Sequence, residues 1–225
     1  MKIKGAIFDM DGTLVDSLFF WDSLYKKIGV RYLGDESFRP GSSIERAVRT
    51  MIYSDAMAYL NRECRLTEST EEFWEFTSGG VADFYRNEAK AKSGASELLE
   101  YLKDSGVKIV LASATTMNEI KIAIEHYGLA KYFDFVFSCA DIGVGKERPD
   151  IYLMASEALG FKNEDVCVVE DSYVALETAK KAGFQTVGVF DKYSFGQDRL
   201  KLASDIYIDE AHTLASLTEL LEPKI

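Results

Sequence analysis

Short apolar runs, most ending on a polar or acidic residue and followed by a helical pattern, constrain this chain more than any other feature. Five stand at Ile3 to Phe8, Val107 to Ala112, Phe135 to Phe137, Val166 to Val169 and Thr186 to Phe190, with Ile206 to Ile208 as a sixth. Runs this short and continuous predict strands buried on both faces, as in a parallel sheet. Between and after them, apolar residues recur at helical spacing: Ile120, Ala123, Ile124 and Tyr127, then Ile151, Met154, Ala155 and Ala158. The same spacing returns at Ala175, Thr178, Ala179 and Ala182 and at Leu214, Leu217, Leu220 and Leu221. Thr116 with Glu119 has the form of a capping box, while Gly106, Gly128, Gly160 and Gly183 read as helix stops. Strand alternating with helix predicts an α/β fold whose sheet is covered on both faces. Such sheets bind ligands at the carboxyl ends of their strands.

The alternation is interrupted once. From about Val15 to Lys92 the chain has helical character, no clear strand, and many aromatics, among them Trp21, Tyr25, Tyr53, Phe73, Trp74 and Phe84. Ser42 with Glu45 reads as another capping box there. Residues 16–92 are therefore predicted to form an inserted α-helical domain, and residues 1–15 with 93–225 a Rossmann-like core. With 225 residues, 47% of them hydrophobic, the chain has material for both. A formal net charge of -11 argues against a nucleic-acid or anionic-membrane partner, because such binding rests on clustered Lys and Arg. Cys64, Cys139 and Cys167 are widely spaced and odd in number, which suggests neither a disulfide framework nor a zinc site. The first apolar stretch stops at Asp9, too soon for a signal peptide. A cytoplasmic monomer is the expectation.

The chemistry gathers at the predicted strand ends. The first strand runs into Asp9-Met10-Asp11-Gly12-Thr13, the second into Ser113, the third into a loop carrying Lys146, and the fourth into Glu170 and Asp171. Four acids in one cleft repel: two unit charges about 4 Å apart cost about 4 kcal/mol at an effective dielectric of about 20. Carboxylates without nearby His or Cys favour a hard cation, with Mg²⁺ the usual choice beside a phosphate. Lys146 adds a fixed positive charge, and Ser113 a hydroxyl and a backbone N–H for phosphate oxygens. Together these describe a phosphoryl-transfer site, where a carboxylate can attack phosphorus once its charge is offset.

These residues, in this order, resemble the four motifs of the haloacid dehalogenase superfamily, in the branch with a helical cap that includes beta-phosphoglucomutase and many small phosphatases. Asp9 to Thr13 is similar to the first motif, Ser113 stands at the second, Lys146 at the third, and Glu170-Asp171-Ser172 at the fourth. The resemblance implies that Asp9 is the nucleophile and Asp11 the general acid and then base. It implies that Ser113 and Lys146 hold the phosphoryl group, with Thr115 beside Ser113 as a further candidate to bind substrate. Mg²⁺ would be bound by the Asp9 carboxylate, the Asp11 main-chain carbonyl and Asp171, with Glu170 close by. It further implies a cap hinged near Asp16 and near Lys92 to Gly94, with Trp21, Phe19 and Phe20 as candidates to line the cavity around a small phosphorylated metabolite.

Three positions depart from the pattern. The mutases of this branch carry an Arg-Glu pair in a cap loop, where this chain has Ile44-Glu45, with Arg39, Arg46 and Arg49 nearby as substitutes. Ala175 stands where a glycine is common, and Ser93-Gly94 replaces a Pro-Gly. The first departure favours a phosphatase over a phosphosugar mutase. A phospho-accepting signalling domain uses a similar set of residues, but would be about half this length and lack the insertion. His126 and His212 are isolated and read as non-catalytic, Arg148 as pointing to solvent, and Cys167 as core packing.

Overall fold

The computed structural model describes residues 1–49 and 51–224. The first apolar run is broken at Lys4 into β1 (Lys2–Ile3) and β2 (Gly5–Phe8), and β3 (Val15–Asp16) follows the acidic loop. Among the described residues five α-helices come next, the first running on into a π-helical turn (Gly29–Leu33): α1 (Phe20–Ile28), α2 (Ser42–Val48), α3 (Tyr53–Cys64), α4 (Thr70–Ser78) and α5 (Val81–Asn87). After β4 (Lys90–Ala91) come α6 (Ala95–Asp104), β5 (Lys108–Ser113), α7 (Met117–His126), β6 (Phe135–Ser138), α8 (Cys139–Ile142) and α9 (Asp150–Leu159). The chain continues through β7 (Val166–Glu170), α10 (Tyr173–Lys181), β8 (Gln185–Val189), α11 (Gln197–Ala203), β9 (Ile206–Ile208) and β10 (Glu222–Pro223).

Six parallel strands form the central sheet in the order β6-β5-β2-β7-β8-β9. All four residues of β2 are buried, as a strand covered on both faces requires. Side chains alternate across the sheet: Ala6, Phe8, Ile109 and Leu111 pack with α6 and α7, whereas Ile7, Val110 and Ala112 pack with α9 and α10. Phe8 pairs in register with Leu111 of β5 and Val169 of β7. The next residues along, Asp9, Ala112 and Glu170, therefore reach the same edge of the sheet together, and Ser113 lies one step beyond. That register positions the site.

Several helical expectations need correction. On α9 the buried residues are Ile151, Tyr152, Ala155 and Ser156; Met154 is exposed, because the inward stripe lies about one residue from the predicted one. The Leu214 run forms a 3-10 helix, Leu214–Glu219, in which Leu214 and Leu217 are buried. Ser42 is not a cap: Gly41 holds that position, and Glu45 instead pairs with Arg49 at 2.9 Å. Thr116 does cap α7 in position, but its hydroxyl bonds the Glu119 carboxylate at 2.6 Å rather than a backbone N–H.

The five-helix segment leaves and returns through the antiparallel pair β3–β4, where Val15 faces Ala91 and Asp16 faces Lys90. Leu24, Tyr25, Ile28, Val48, Met57, Leu60 and Phe73 form a core of their own. Helix α5 behaves differently. Its Val81, Phe84 and Tyr85 join the larger core beneath the sheet, against α7.

Candidate active site

The turn that carries the two aspartates is fixed by backbone before any side chain acts. Asp9 N–H donates to Val169 O at 3.0 Å, tying the end of β2 to β7, and Gly12 N–H donates to Val15 O at 2.8 Å. Gly12 has φ +84, and a Cβ there would lie 2.7 Å from the Asp171 carboxylate. Only glycine fits that backbone and that approach. The first and fourth motifs are thus pressed together.

Lys146 reaches into this edge from the loop before α9. Its ammonium donates to Asp9 Oδ1 in a short contact and to Glu170 Oε1 at 2.5 Å. Tyr152 Oη also donates to Glu170 Oε1, at 3.0 Å. Thr13 Oγ1 donates to Asp171 Oδ1 at 3.3 Å, and Ser194 Oγ donates to Asp171 Oδ2. Burial pushes the Asp9 carboxyl well above the ordinary range; Lys146 opposes this, while Glu170 and Asp171 add to it. Burial, followed by the Glu170 charge, pushes Asp171 up to about 7. For Lys146, burial works against the charged form, but Asp9 and Glu170 outweigh it and the pKa rises.

One ammonium does not balance three buried carboxylates. Asp9, Glu170 and Asp171 each offer a ligand oxygen, all within 4.8 Å of one another. An oxygen-only donor set carrying excess negative charge suits a hard divalent cation. The residues present fit Mg²⁺.

Asp11 points elsewhere. Its carboxylate accepts from three hydroxyls: Ser17 Oγ and Tyr85 Oη on Oδ1, and Thr115 Oγ1 on Oδ2, each at 2.7 Å. These donors come from the residue after β3, from α5 and from the loop after β5. Ser113 is fully buried, lines the cleft, and accepts from Thr115 N–H at 3.1 Å.

Asp9, Asp11, Ser113, Thr115, Lys146, Glu170 and Asp171 all line one cleft of about 200 Å³ between the sheet edge and the five-helix segment. Phe20 and Trp21 line its far side, as do Arg46 and Arg49. Phe19 does not; its ring packs edge-on against Phe84 at 5.1 Å. Arg39 also lies elsewhere, 3.6 Å from Asp22 on the surface. Arg148 is mostly exposed and paired with Asp150, while Cys167 is fully buried in β7. His126 rests against Tyr127 and His212 bonds Asp209, and neither lines the cleft.

Sequence reading missed Tyr85, Tyr152 and Ser194. Helical spacing shows nothing about a tyrosine hydroxyl's target, and Ser194 lies in a loop with no motif. Thr13 stood inside the recognised first motif and Ser17 four residues after it, where nearness in sequence to the acids was a usable signal.

Comparison with known proteins places the chain in a family. A family model described as haloacid dehalogenase-like hydrolase matches residues 3–183. The chain is 26% identical to the phosphorylated carbohydrates phosphatase of Thermotoga maritima over 220 residues, 97% of this chain and 100% of that protein. It is 29% identical over 189 residues to the bifunctional riboflavin kinase/FMN phosphatase of Arabidopsis thaliana, covering 82% of this chain and 48% of that protein. The structure of beta-phosphoglucomutase from Clostridium difficile shares the fold, with TM-score 0.72 at 20% identity over 96% of this chain and 93% of that one.

Proposed function

The chain belongs to the haloacid dehalogenase-like hydrolases, and from that premise we propose a Mg²⁺-dependent phosphatase that hydrolyses a small phosphorylated metabolite through an aspartyl-phosphate on Asp9. It is a phosphohydrolase, in keeping with its family and with its phosphatase relatives. One observation carries the finer reading: Asp9 is held between Lys146 and two further buried acids at the strand edge where Ser113 also ends.

In this reading Asp9 attacks phosphorus and the bond to the leaving oxygen breaks. Asp11 gives that oxygen its proton. Asp11 then takes a proton from water, whose oxygen attacks phosphorus, releases phosphate and restores Asp9. Ser113 with Thr115 and Lys146 hold phosphoryl oxygens throughout, Lys146 as a point charge already fixed by Asp9 and Glu170. Mg²⁺, held by the carboxylates of Asp9, Asp171 and Glu170 and by the Asp11 carbonyl, would neutralise the phosphoryl dianion facing an anionic nucleophile. Residues 16–92 act as a cap hinged at the β3–β4 pair, with Trp21 at the substrate's side of the cleft.

Arg46 and Arg49 in the cleft keep a second reading open, a phosphosugar mutase in which a cation holds a second phosphate. Phosphate released from p-nitrophenyl phosphate and from a metabolite panel, dependent on Mg²⁺, supports the phosphatase. Conversion of glucose 1-phosphate to glucose 6-phosphate, primed by a bisphosphate and without phosphate release, supports the mutase.

A further inference from the structure

The half of the cleft that faces the leaving group is unlike the half that faces phosphorus. We infer that the physiological substrate is a phosphomonoester whose alcohol presents an apolar, ring-shaped face rather than a row of hydroxyls. The inference rests on the phosphatase reading and names the substrate class of that same site.

Phe20, Trp21, Met51, Tyr53, Phe84 and Phe195 supply much of the apolar lining of the cleft. The polar side chains among the lining are largely engaged with the protein itself. Tyr53 Oη donates to Thr77 O at 2.8 Å, so this residue offers the cleft only its ring. Ser17, Tyr85 and Thr115 all donate to Asp11, Ser194 donates to Asp171, and Glu119 accepts from Thr116. Arg49 donates to Glu45 at 2.9 Å and to Tyr193 O at 2.7 Å, and its guanidinium lies over the rings of Phe195 at 4.9 Å and Trp21 at 5.9 Å. Glu147 follows Lys146 in the chain, and Tyr173 is the first residue of α10, with the Arg199 guanidinium over its ring at 4.1 Å. Arg46 remains as an exposed cation that no hydrogen bond or ion pair engages among the described residues.

A polyol entering here gives up its water and finds few partners for several hydroxyls, whereas a flat apolar face meets rings on more than one side. Sites that cannot pair a ligand's buried hydroxyls discriminate against it, while apolar area rewards a ring. A polar substituent is accommodated only along the Trp21–Arg46–Arg49 side, where the Arg46 cation, the Trp21 indole N–H and the buried Arg49 Nε have no hydrogen-bond partner among the described residues.

The test compares 2-phenylethyl phosphate with glucose 6-phosphate, both esters of a primary alcohol, so that leaving ability is similar. With wild-type enzyme and Mg²⁺, kcat/KM for the phenylethyl ester is expected to exceed that for the sugar by at least about tenfold. Trp21→Ala lowers this ratio by about tenfold and Trp21→Phe keeps most of it, because the ring is what matters. Glucose 6-phosphate turned over as well as or better than the phenylethyl ester overturns the inference, as does a ratio unmoved by Trp21→Ala. The wild-type ratio decides even if the variants do not fold. p-Nitrophenyl phosphate separates the two levels: no nitrophenolate release sinks the phosphatase reading itself, whereas release together with a sugar preference sinks only the substrate class.

Discussion

The sheet edge and the five-helix segment face each other across one cleft, yet they are built by different physics. At the edge, strand register delivers Asp9 and Glu170 to the same level because Phe8 pairs with Leu111 and Val169. Main-chain hydrogen bonds repeat at fixed intervals, so a side chain placed by them is placed by sequence position alone. Across the cleft, Trp21 stands on α1, Arg46 on α2, Tyr53 on α3 and Phe84 on α5. Trp21 and Tyr53 are placed by how the helices pack in a small core of side chains, whereas Phe84 is held by the larger core beneath the sheet. Under the proposed function, the contrast gives the reaction to the edge and the choice of substrate to the helices.

The largest effect expected from this division is at Asp9. Asp9→Asn should lower phosphate release by at least about 10³-fold, by the same factor for every ester, because it removes the nucleophile and not a substrate contact. Phosphate release by the variant approaching the wild-type rate on any one substrate would break the division. The variant should fold, since the amide also removes one charge from a crowded acidic group.

Next in size is the linkage between pH and metal. The Asp171 pKa of about 7 in the folded protein lies above its ordinary 3.8. The folded, metal-free protein therefore binds that proton more tightly than the unfolded chain does. This contribution is complete below about pH 4 and is lost as pH rises through about 7, a swing of at most about 4 kcal/mol. Mg²⁺ takes the deprotonated carboxylate, so its stabilisation should grow with pH. Thermal unfolding with and without Mg²⁺ at about pH 5 and about pH 8 measures this. An equal Mg²⁺ upshift at both pH values, or the same growth in Asp171→Asn, would remove Asp171 from the ion's site.

The same division explains what was legible in the sequence. Apolar runs ending in Asp9, Ser113 and Glu170 were readable because buried parallel strands need continuous apolar stretches and end where polar residues begin. Gly160 was readable as a stop, since α9 ends there with φ +71. Ser42 with Glu45 had the spacing of a cap, but Glu45 found a stronger partner in the Arg49 guanidinium. Met154 was placed on the wrong side of α9 because alanine and methionine tolerate either environment, so periodicity alone located the stripe only to within a residue. The Asp11 hydroxyls were the least legible. Tyr85 is separated from Asp11 by 74 residues, and only the packing of α5 onto α7 brings them together.

Tyr85 therefore supplies the most informative small perturbation, because it belongs to the helical segment by sequence and to the reaction by contact. Its carbonyl accepts from Tyr127 Oη and its ring sits in the large core, which fixes the hydroxyl on Asp11. Tyr85→Phe leaves the ring and the donors Ser17 and Thr115 in place, so folding should survive and Asp11 should lose only one of three restraints. The expected result is a fall in kcat of about tenfold with KM changed less than about threefold, as for loss of orientation of a proton-transfer group. With p-nitrophenyl phosphate the variant should release nitrophenolate in an initial burst, because its good leaving group needs little acid while hydrolysis of the Asp9 phosphate still needs a base. A change in KM alone would instead return Tyr85 to the substrate-selecting side of the cleft. The boundary between the two regions would then coincide with the boundary of the insertion.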